Sequence, residues 1–340
     1  MSGKSVGRHS VSFKNPVYVT GYASVVGKKE GEGPLGRCFD IIENDPYFGQ
    51  DNWEKAESTM QSVVLSQALH NGNIEKNDIK YIFAGDLLGQ LMATTFGTQN
   101  MDIPLFGIYG ACSTMGEALS LGAMAIDGDY GDNVVALTSS HFAGAEKQFR
   151  FPLDYGNQRP YCSTWTVTGS GAVVLSKEKK NSKIVIRGIT TGTVKDYGIK
   201  DSMNMGACMA PAALNVILSN FIEFNVDEKY YDKIITGDLG IVGKKILMDM
   251  LKIEGYDIAD RYMDCGIEMF DASTQDSHSG GSGCGCSASV LCGYILRKLE
   301  KGEYKRILFI PTGALLSGTS FNEGQTIPSI AHGVIFESIA

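Results

Sequence analysis

The stretch Leu105-Phe-Gly-Ile-Tyr-Gly-Ala-Cys-Ser-Thr-Met-Gly-Glu-Ala-Leu119 predicts an apolar strand that turns sharply and continues as a helix. Cys112 lies at the turn, and the helix after it is rich in small residues. Thr114 and Glu117 fit a T-x-x-E capping box at the helix start. The free N–H groups and the dipole of a helix N-terminus favour a thiolate or a bound anion. The stretch therefore predicts a functional cysteine, with a buried thiol of no particular role as the alternative.

Short apolar runs recur on both sides of this stretch and alternate with segments of helical periodicity. Strands are predicted at residues 16–24, 81–84, 105–109, 134–138, 173–176, 184–189, 233–236, 306–310 and 333–338. Helices are predicted at residues 52–70, 114–126, 210–224, 242–252 and 287–300. Strands that alternate with helices indicate an α/β fold with a largely parallel sheet.

The chain consists of two similar halves. Gly-Asp86-Leu follows a predicted strand of the first half, and Gly-Asp238-Leu follows a predicted strand of the second. Each half also closes with a glycine that leads into an apolar strand, at Gly171 and at Gly333. This similarity at two separated places indicates duplication of one βα unit. Chance is the alternative, because matches of three residues are weak evidence.

A polar, lysine-rich segment at 176–183 separates the halves, so we expect an N-terminal half over 1–180 and a C-terminal half over 181–340. With 43% apolar residues, the chain can bury a large core. Its net charge is −8 without a basic stripe, so nucleic acid is not an expected partner. Eight scattered cysteines indicate a reducing compartment. No apolar run approaches the roughly 20 residues of a membrane span, so we expect a soluble chain.

A second candidate feature is the loop His278-Ser-Gly-Gly-Ser-Gly-Cys-Gly-Cys286, which precedes a predicted helix. Its glycines, Gly283 among them, can present successive N–H groups as an anion-binding nest, and a flexible surface loop is the alternative. Cys284 and Cys286 form a C-x-C pair, but one pair without further ligands does not define a metal site. We therefore expect no metal and no cofactor.

Together these elements resemble the thiolase superfamily, which includes thiolases and β-ketoacyl-ACP synthases. Within it, the sequence resembles the stage V sporulation protein AD family over nearly the whole chain. The matching runs are Gly31-Glu-Gly-Pro-Leu-Gly, Ala84-Gly-Asp-Leu-Leu, Gly110-Ala-Cys-Ser-Thr, Gln148-Phe-Arg-Phe-Pro, Thr168-Gly-Ser-Gly-Ala-Val-Val-Leu-Ser, Met209-Ala-Pro-Ala-Ala, Gly280-Gly-Ser-Gly-Cys-Gly-Cys-Ser and Thr312-Gly-Ala-Leu-Leu-Ser. The resemblance implies a thiolase-like fold, in which duplicated βα halves form α-β-α-β-α layers.

The resemblance also implies which residues join Cys112. In catalytic members, a His after the second strand of the second half and a His or Asn in the glycine-rich loop stabilise the oxyanion. The first position falls on Asp238 and the second on His278. An ionised Asp cannot donate a hydrogen bond, and its charge raises the pKa of a nearby thiol. We therefore expect no catalytic residues in this chain, and the alternative for His278 is a surface-loop histidine.

The family resemblance implies binding of dipicolinic acid (pyridine-2,6-dicarboxylate), alone or as its calcium chelate, for uptake into the developing bacterial spore. A flat aromatic dianion requires an apolar slot with convergent donors. The candidate ligand-binding residues are Cys112, His141, Arg150, Asp238, His278, Gly283 and Cys284. Arg159 is a further candidate cation, and for both arginines a dimer contact or a solvated loop is the alternative.

The resemblance further implies partners and a location. The expected partners are a second copy of the chain, added by sheet extension, and other proteins of a spore membrane complex. The chain would lie at the spore inner membrane through those proteins. Two rival functions stay open: an acyl-CoA condensing or thioester-cleaving enzyme that uses Cys112 with His278, and a scaffold whose pocket is vestigial.

Overall fold

The structure is a computed structural model that describes residues 5–149 and 159–340. Its strands are β1 (Ser10–Gly27), β2 (Ile41–Glu43), β3 (Tyr81–Gly85), β4 (Leu105–Gly107), β5 (Asn133–Ser140), β6 (Trp165–Thr166), β7 (Gly169–Ser176), β8 (Ile184–Thr191), β9 (Lys233–Thr236), β10 (Tyr262–Asp264), β11 (Gly281–Ser282), β12 (Arg306–Ile310), β13 (Thr312–Ala314) and β14 (Ser329–Ser338). Its helices are α1 (Lys28–Gly31), α2 (Trp53–Gly72), α3 (Met92–Thr98), α4 (Thr114–Asp127), α5 (Phe142–Phe149), α6 (Met205–Phe224), α7 (Gly240–Ile253), α8 (Cys265–Met269), α9 (Cys284–Val290), α10 (Leu296–Glu300) and α11 (Gly318–Asn322).

Most of these strands form one large sheet. Its order is β10-β9-β12-β14-β8-β1-β7-β5-β3-β4, and pairing of β8 with β1 joins the two halves. The first half contributes β1, β3, β4, β5 and β7, and the second contributes β8, β9, β10, β12 and β14. Outward from the junction, the order is β1-β7-β5-β3-β4 in the first half and β8-β14-β12-β9-β10 in the second. If the five strands of each half are numbered along the chain, both orders read first, fifth, fourth, second, third. Both halves therefore use the same topology, as duplication of one unit requires.

The sheet is mixed, so the expectation of a largely parallel sheet was wrong. β3 pairs in parallel with β4 and β5, and β9 pairs in parallel with β10 and β12. β7 and β14, however, run antiparallel to both of their neighbours. Apolar periodicity identifies a strand but carries no information about the direction of its partner, which long-range pairing decides.

The helices form three layers around the two half-sheets, in the expected α-β-α-β-α order. α4 contacts β3, β5 and β14, and α9 contacts β5, β7 and α4, so both helices lie between the halves. α2 packs on the opposite face of the first half. Alternate β5 residues divide between these layers: Val134 and Ala136 share a core with α4, whereas Val135 and Leu137 share one with α2.

Helix α6 was predicted to begin at Ala210, but it begins at Met205 and is long enough to span a membrane. An 18-residue stretch of this helix has a mean hydropathy of 1.5, and 67% of that stretch is buried inside the fold. Within it, the side chain of Asn220 is buried and bonded to Thr190 and Tyr231. The prediction that no apolar run approaches about 20 residues was therefore wrong. Because most of α6 is buried, it is a core helix of the second half.

Candidate functional site

The elbow that carries Cys112 forms as the sequence predicts, but by different contacts. After β4 the chain makes one 3-10 turn, Ala111–Ser113, and enters α4. Ala111 has a φ of 50°, in the left-handed region that non-glycine residues rarely adopt. The Thr114 hydroxyl donates to the Ala111 carbonyl at 2.6 Å and accepts from the Gly110 N–H at 3.1 Å. These bonds stabilise the turn that aims Cys112 at the carboxyl edge of the sheet.

The predicted capping box is wrong. Thr114 is the first residue of α4, and its hydroxyl bonds backward to the elbow instead of capping the helix. Glu117 does not complete the box either, because in the described chain its buried Oε2 has no hydrogen-bond partner. Burial raises the pKa of Glu117. The T-x-x-E motif is present in the sequence, but the Thr114 hydroxyl bonds the backbone of Gly110 and Ala111 at the elbow instead.

Asp238 is the centre of the site. It follows β9 as Asp86 follows β3, and its side chain is fully buried. Oδ2 accepts the Gly283 N–H at 2.9 Å, Oδ1 accepts the Thr312 hydroxyl at 2.8 Å, and the Cys112 thiol also donates to this carboxylate. Burial raises the pKa of Asp238 to about 7. The residue that replaces the expected imidazole thus accepts three hydrogen bonds.

A second buried carboxylate, Asp264, fixes the turn that carries Asp238. It accepts the Thr236 hydroxyl at 2.6 Å, the Leu239 N–H at 2.8 Å and the Gly240 N–H at 3.2 Å. Sequence reasoning missed both Asp264 and Thr312. Thr312 opened one of the family-like runs, which was a usable signal, whereas no sequence feature placed Asp264 beside this turn.

The pKa of the Cys112 thiol is raised, which disfavours the thiolate. Burial raises its pKa well above the ordinary value, and the charge of Asp238 raises it further. An N–H bond from Gly283 opposes these effects only in part. The helix N-terminus at the elbow therefore does not lower the pKa of this thiol, and Asp238 raises it in the expected direction.

The glycine-rich loop does not present an open nest. Gly280 N–H bonds the Ser277 carbonyl, Gly285 N–H bonds Ser140 Oγ, and Cys286 N–H bonds the Gly283 carbonyl. Gly283, with a φ of 103°, donates its own N–H to Asp238. These donors are used inside the protein, so the anion at this loop is the side chain of Asp238. The thiol of Cys284 lies below the loop, where it donates to the Ser139 carbonyl at 2.9 Å.

The cavity beside Cys112 is small and mostly apolar. Its walls include Leu87, Tyr109, Phe149, Met205 and Leu316, with Asp238 and Gly283 at the polar end. Its volume is about 40 Å³. That is room for roughly three water molecules, well below the volume of a typical ligand site. A ring with two carboxylates does not fit without opening of these walls.

The loop histidine does not join Cys112. His278 bonds the Pro160 carbonyl through Nδ1 at 3.0 Å and the Asp276 carboxylate through Nε2 at 2.9 Å, and it does not line the Cys112 cavity. Arg159 bonds the same Asp276 side chain at 3.2 Å. The pairing of Cys112 with His278 that a condensing enzyme would use is absent among the described residues. Arg150 lies outside the described part of the chain.

His141 lines a different and larger cavity, which we call the Lys29 cleft. Its lining includes Lys28, Lys29, Glu30, Glu32, Trp53, His141, Phe142, Trp165, Thr168, Gln275 and Asp276. The His141 Nε2 bonds the Pro46 carbonyl at 2.9 Å, and burial lowers the pKa of this imidazole. The structure thus brings Cys112, Asp238 and Gly283 together and separates His141 from them. Within residues 5–149 and 159–340, no group of His, Cys, Asp or Glu is arranged to hold a metal ion.

The architecture, with a cysteine at the elbow after β4, is a thiolase-like fold. Human mitochondrial 3-ketoacyl-CoA thiolase in complex with CoA aligns with a TM-score of 0.61 at 12% identity, over 97% of this chain and 99% of that one. The 3-oxoacyl-[acyl-carrier-protein] synthase III from Aquifex aeolicus VF5 aligns with a TM-score of 0.56 at 13% identity, over 94% and 99%. At these identities the likeness establishes the fold alone.

The sequence comparisons are more specific. The family model for Stage V sporulation protein AD (SpoVAD) matches residues 7–337. Stage V sporulation protein AD of Bacillus subtilis (strain 168) is 41% identical over 334 residues, which cover 98% of both chains. The chain therefore belongs to the stage V sporulation protein AD family.

Proposed function

We propose that this sporulation protein is a non-catalytic receptor for dipicolinic acid that serves uptake of that acid into the developing spore. One observation carries the loss of catalysis: the buried carboxylate of Asp238 accepts hydrogen bonds from Cys112, Gly283 and Thr312. An acyl-transfer site needs donors at that place for the developing oxyanion. Here the Gly283 N–H already donates a hydrogen bond to the Asp238 carboxylate.

The first chemical step of acyl transfer is also disfavoured. Attack on a thioester requires the thiolate of Cys112, yet its pKa is raised well above the ordinary value. Asp238, with a pKa of about 7, is a much weaker base than that thiolate, so proton transfer to it is uphill. The addition product would then place a second negative charge beside Asp238. Both steps argue for binding without turnover.

The choice of ligand rests on the family. Membership in a sporulation family supports a role in the spore, and the sequence resemblance implies dipicolinate as the molecule bound. Because the chain carries a net charge of −8, a dianion needs a local cation and apolar walls that can contact its ring.

Calorimetric titration of the whole chain with pyridine-2,6-dicarboxylate tests this function. We expect saturable heat with one ligand per chain, and a second series with Ca²⁺ present decides between the free acid and its chelate. Phthalate, which has two carboxylates on a ring without the pyridine nitrogen, serves as the specificity control. A flat titration at millimolar dipicolinate would overturn the proposed function.

The proposal includes a homodimer and further partners at the spore inner membrane. β4 is an edge strand, paired only with β3 in the described chain, and its three residues are exposed. Phe106 is 51% exposed on this edge. An uncovered apolar edge strand favours pairing with another chain, which supports sheet extension between two copies. Association with other proteins of a spore membrane complex follows from the family resemblance.

A further inference from the structure

The described lining of the Cys112 cavity is acidic. Asp238 and Glu146 both line it, and the Glu146 carboxylate accepts the Thr166 hydroxyl at 2.7 Å. The other described walls are apolar or neutral, and burial raises the pKa of the Cys112 thiol and of the Tyr109 hydroxyl. A dianion that enters this cavity therefore meets like charge in a poorly hydrated place, where Coulomb repulsion is strong.

The hydrogen bonds of Asp238 suit both of its protonation states. When ionised, the side chain accepts the Gly283 N–H through Oδ2, the Thr312 hydroxyl through Oδ1, and the Cys112 thiol. The Gly283 N–H is a fixed donor of the backbone, whereas the Thr312 hydroxyl can rotate and accept instead. A proton on Oδ1 therefore leaves the Gly283 bond in place and turns Oδ1 into a donor.

The titratable groups that face Asp238 in the described chain are acids, thiols and a phenol, and no described lysine, arginine or histidine lines the cavity. Asp264 is buried outside the lining, and its charge raises the pKa of Asp238. Burial raises the pKa of each nearby thiol, at Cys112, Cys265, Cys284 and Cys286. With a pKa of about 7, Asp238 is poised to gain a proton near neutral pH when a further negative charge arrives.

We propose that Asp238 takes up a proton when the dicarboxylate binds in the Cys112 cavity, so that the receptor binds its ligand together with one proton. This inference rests on the proposed function. The neutral carboxyl of Asp238 donates its O–H to a ligand carboxylate, a bond that the ionised side chain cannot make. The proton comes from the solvent, because carboxyl groups of the ligand are ionised near neutral pH. Entry of the ring requires opening of the apolar walls, and Asp238 lies at the other, polar end.

Calorimetry of the whole chain with pyridine-2,6-dicarboxylate at pH 6, 7 and 8 tests the coupling. The free protein must first protonate Asp238, whose pKa is about 7, so we expect binding about tenfold weaker at pH 8 than at pH 6. Titrations in phosphate and in Tris, which differ in ionisation enthalpy, count the protons. We expect uptake of close to one proton per ligand at pH 8 and of about 0.1 at pH 6.

Two matched variants assign the proton to a residue. Asp238→Asn is neutral at every pH and still offers an acceptor to Gly283, so its affinity should change by less than about twofold between pH 6 and pH 8. Glu30→Gln removes another buried carboxyl with a pKa of about 7, which lines the separate Lys29 cleft. This control should keep the roughly tenfold pH dependence of the parent.

Infrared difference spectra of the parent chain test the same step without a variant. At pH 8, addition of the ligand should produce the C=O band of a protonated carboxyl, and absence of that band would overturn the coupling. Saturable binding that does not depend on pH, or proton uptake that persists in Asp238→Asn, would also overturn it and leave the proposed function standing. Absence of binding by the parent at every pH would overturn both.

Discussion

The thiol of Cys112 donates a hydrogen bond to the carboxylate of Asp238, which is fully buried and also holds the Gly283 N–H. The carboxylate raises the pKa of the thiol, and the hydrogen bond from the thiol stabilises the carboxylate. A thiolase-like fold thus holds a cysteine at its elbow beside a negative charge that raises the pKa of the thiol.

Alkylation of Cys112 should report this relationship. Asp238→Asn removes the negative charge beside the thiol and lowers its pKa, and each pH unit of lowering raises the thiolate fraction about tenfold. We expect iodoacetamide to label Cys112 slowly in the parent at pH 8 and roughly tenfold faster in the variant, as measured by peptide mass spectrometry. Cys162, which is also partly exposed, is the internal control. Equal labelling of Cys112 in both proteins would count against the coupling.

The buried Asp238 should make stability fall as pH rises. Its pKa of about 7 in the folded chain lies above the ordinary 3.8, so between these values the folded state keeps a proton that the unfolded chain has lost. The free energy of unfolding therefore decreases through this window by up to about 1.4 kcal/mol per pH unit from this group.

Urea unfolding of the parent and Asp238→Asn at pH 5, 6, 7 and 8 measures that contribution. Other buried acids such as Glu30 titrate in both proteins, so they cancel in the difference between the two curves. We expect the parent's advantage to shrink as pH rises, by on the order of a few kcal/mol overall. A constant difference would show that Asp238 is ionised throughout, and a difference that grows with pH would contradict a raised pKa of Asp238.

The Thr312 hydroxyl should matter for stability although no sequence motif assigns it a chemical role. Thr312→Val removes the donor to Oδ1 of Asp238 at nearly constant volume. We expect a loss of about 1 to 3 kcal/mol at pH 8, because an ionised buried oxygen is left unsatisfied. Thr319→Val, on the exposed face of the short helix α11, should change stability by less than about 0.5 kcal/mol. Equal effects from the two substitutions would contradict the assignment.

The edge strand β4 should control association. Phe106→Lys places a charge on the exposed edge, and natural proteins use lysine there to prevent strand pairing. We expect the parent to be a dimer by light scattering and this variant to be monomeric with an unchanged circular dichroism spectrum. Ile253→Lys, at an 83% exposed position at the end of α7, should remain dimeric. A monomeric parent, or a dimeric Phe106→Lys, would rule out this interface.

Much of the fold follows from local pattern. The apolar runs and turn residues located nearly every major strand, and the repeated Gly-Asp-Leu after β3 and β9 indicated two equivalent units. Strand direction did not follow, because β7 and β14 return antiparallel through pairings that periodicity does not encode. The start of α6 was missed for a related reason: Asn204 caps the helix upstream of its continuous apolar run.

The site was predictable only in part. The superfamily resemblance implied a carboxylate, Asp238, near Cys112, and the structure has both residues in the lining of one cavity. The open anion-binding nest was not found, because its N–H groups donate hydrogen bonds inside the protein. Gly283 donates to Asp238, and Gly285 donates to Ser140.

Turnover of an acyl thioester is the decisive test of whether this protein has lost catalysis. The unmodified chain is incubated with acetyl-CoA and with malonyl-CoA, and release of CoA and formation of acetoacetyl-CoA are followed by mass spectrometry. We expect rates equal to those of the buffer alone, and equal rates for the parent and Cys112→Ala. Release of CoA by the parent that disappears in Cys112→Ala would contradict it.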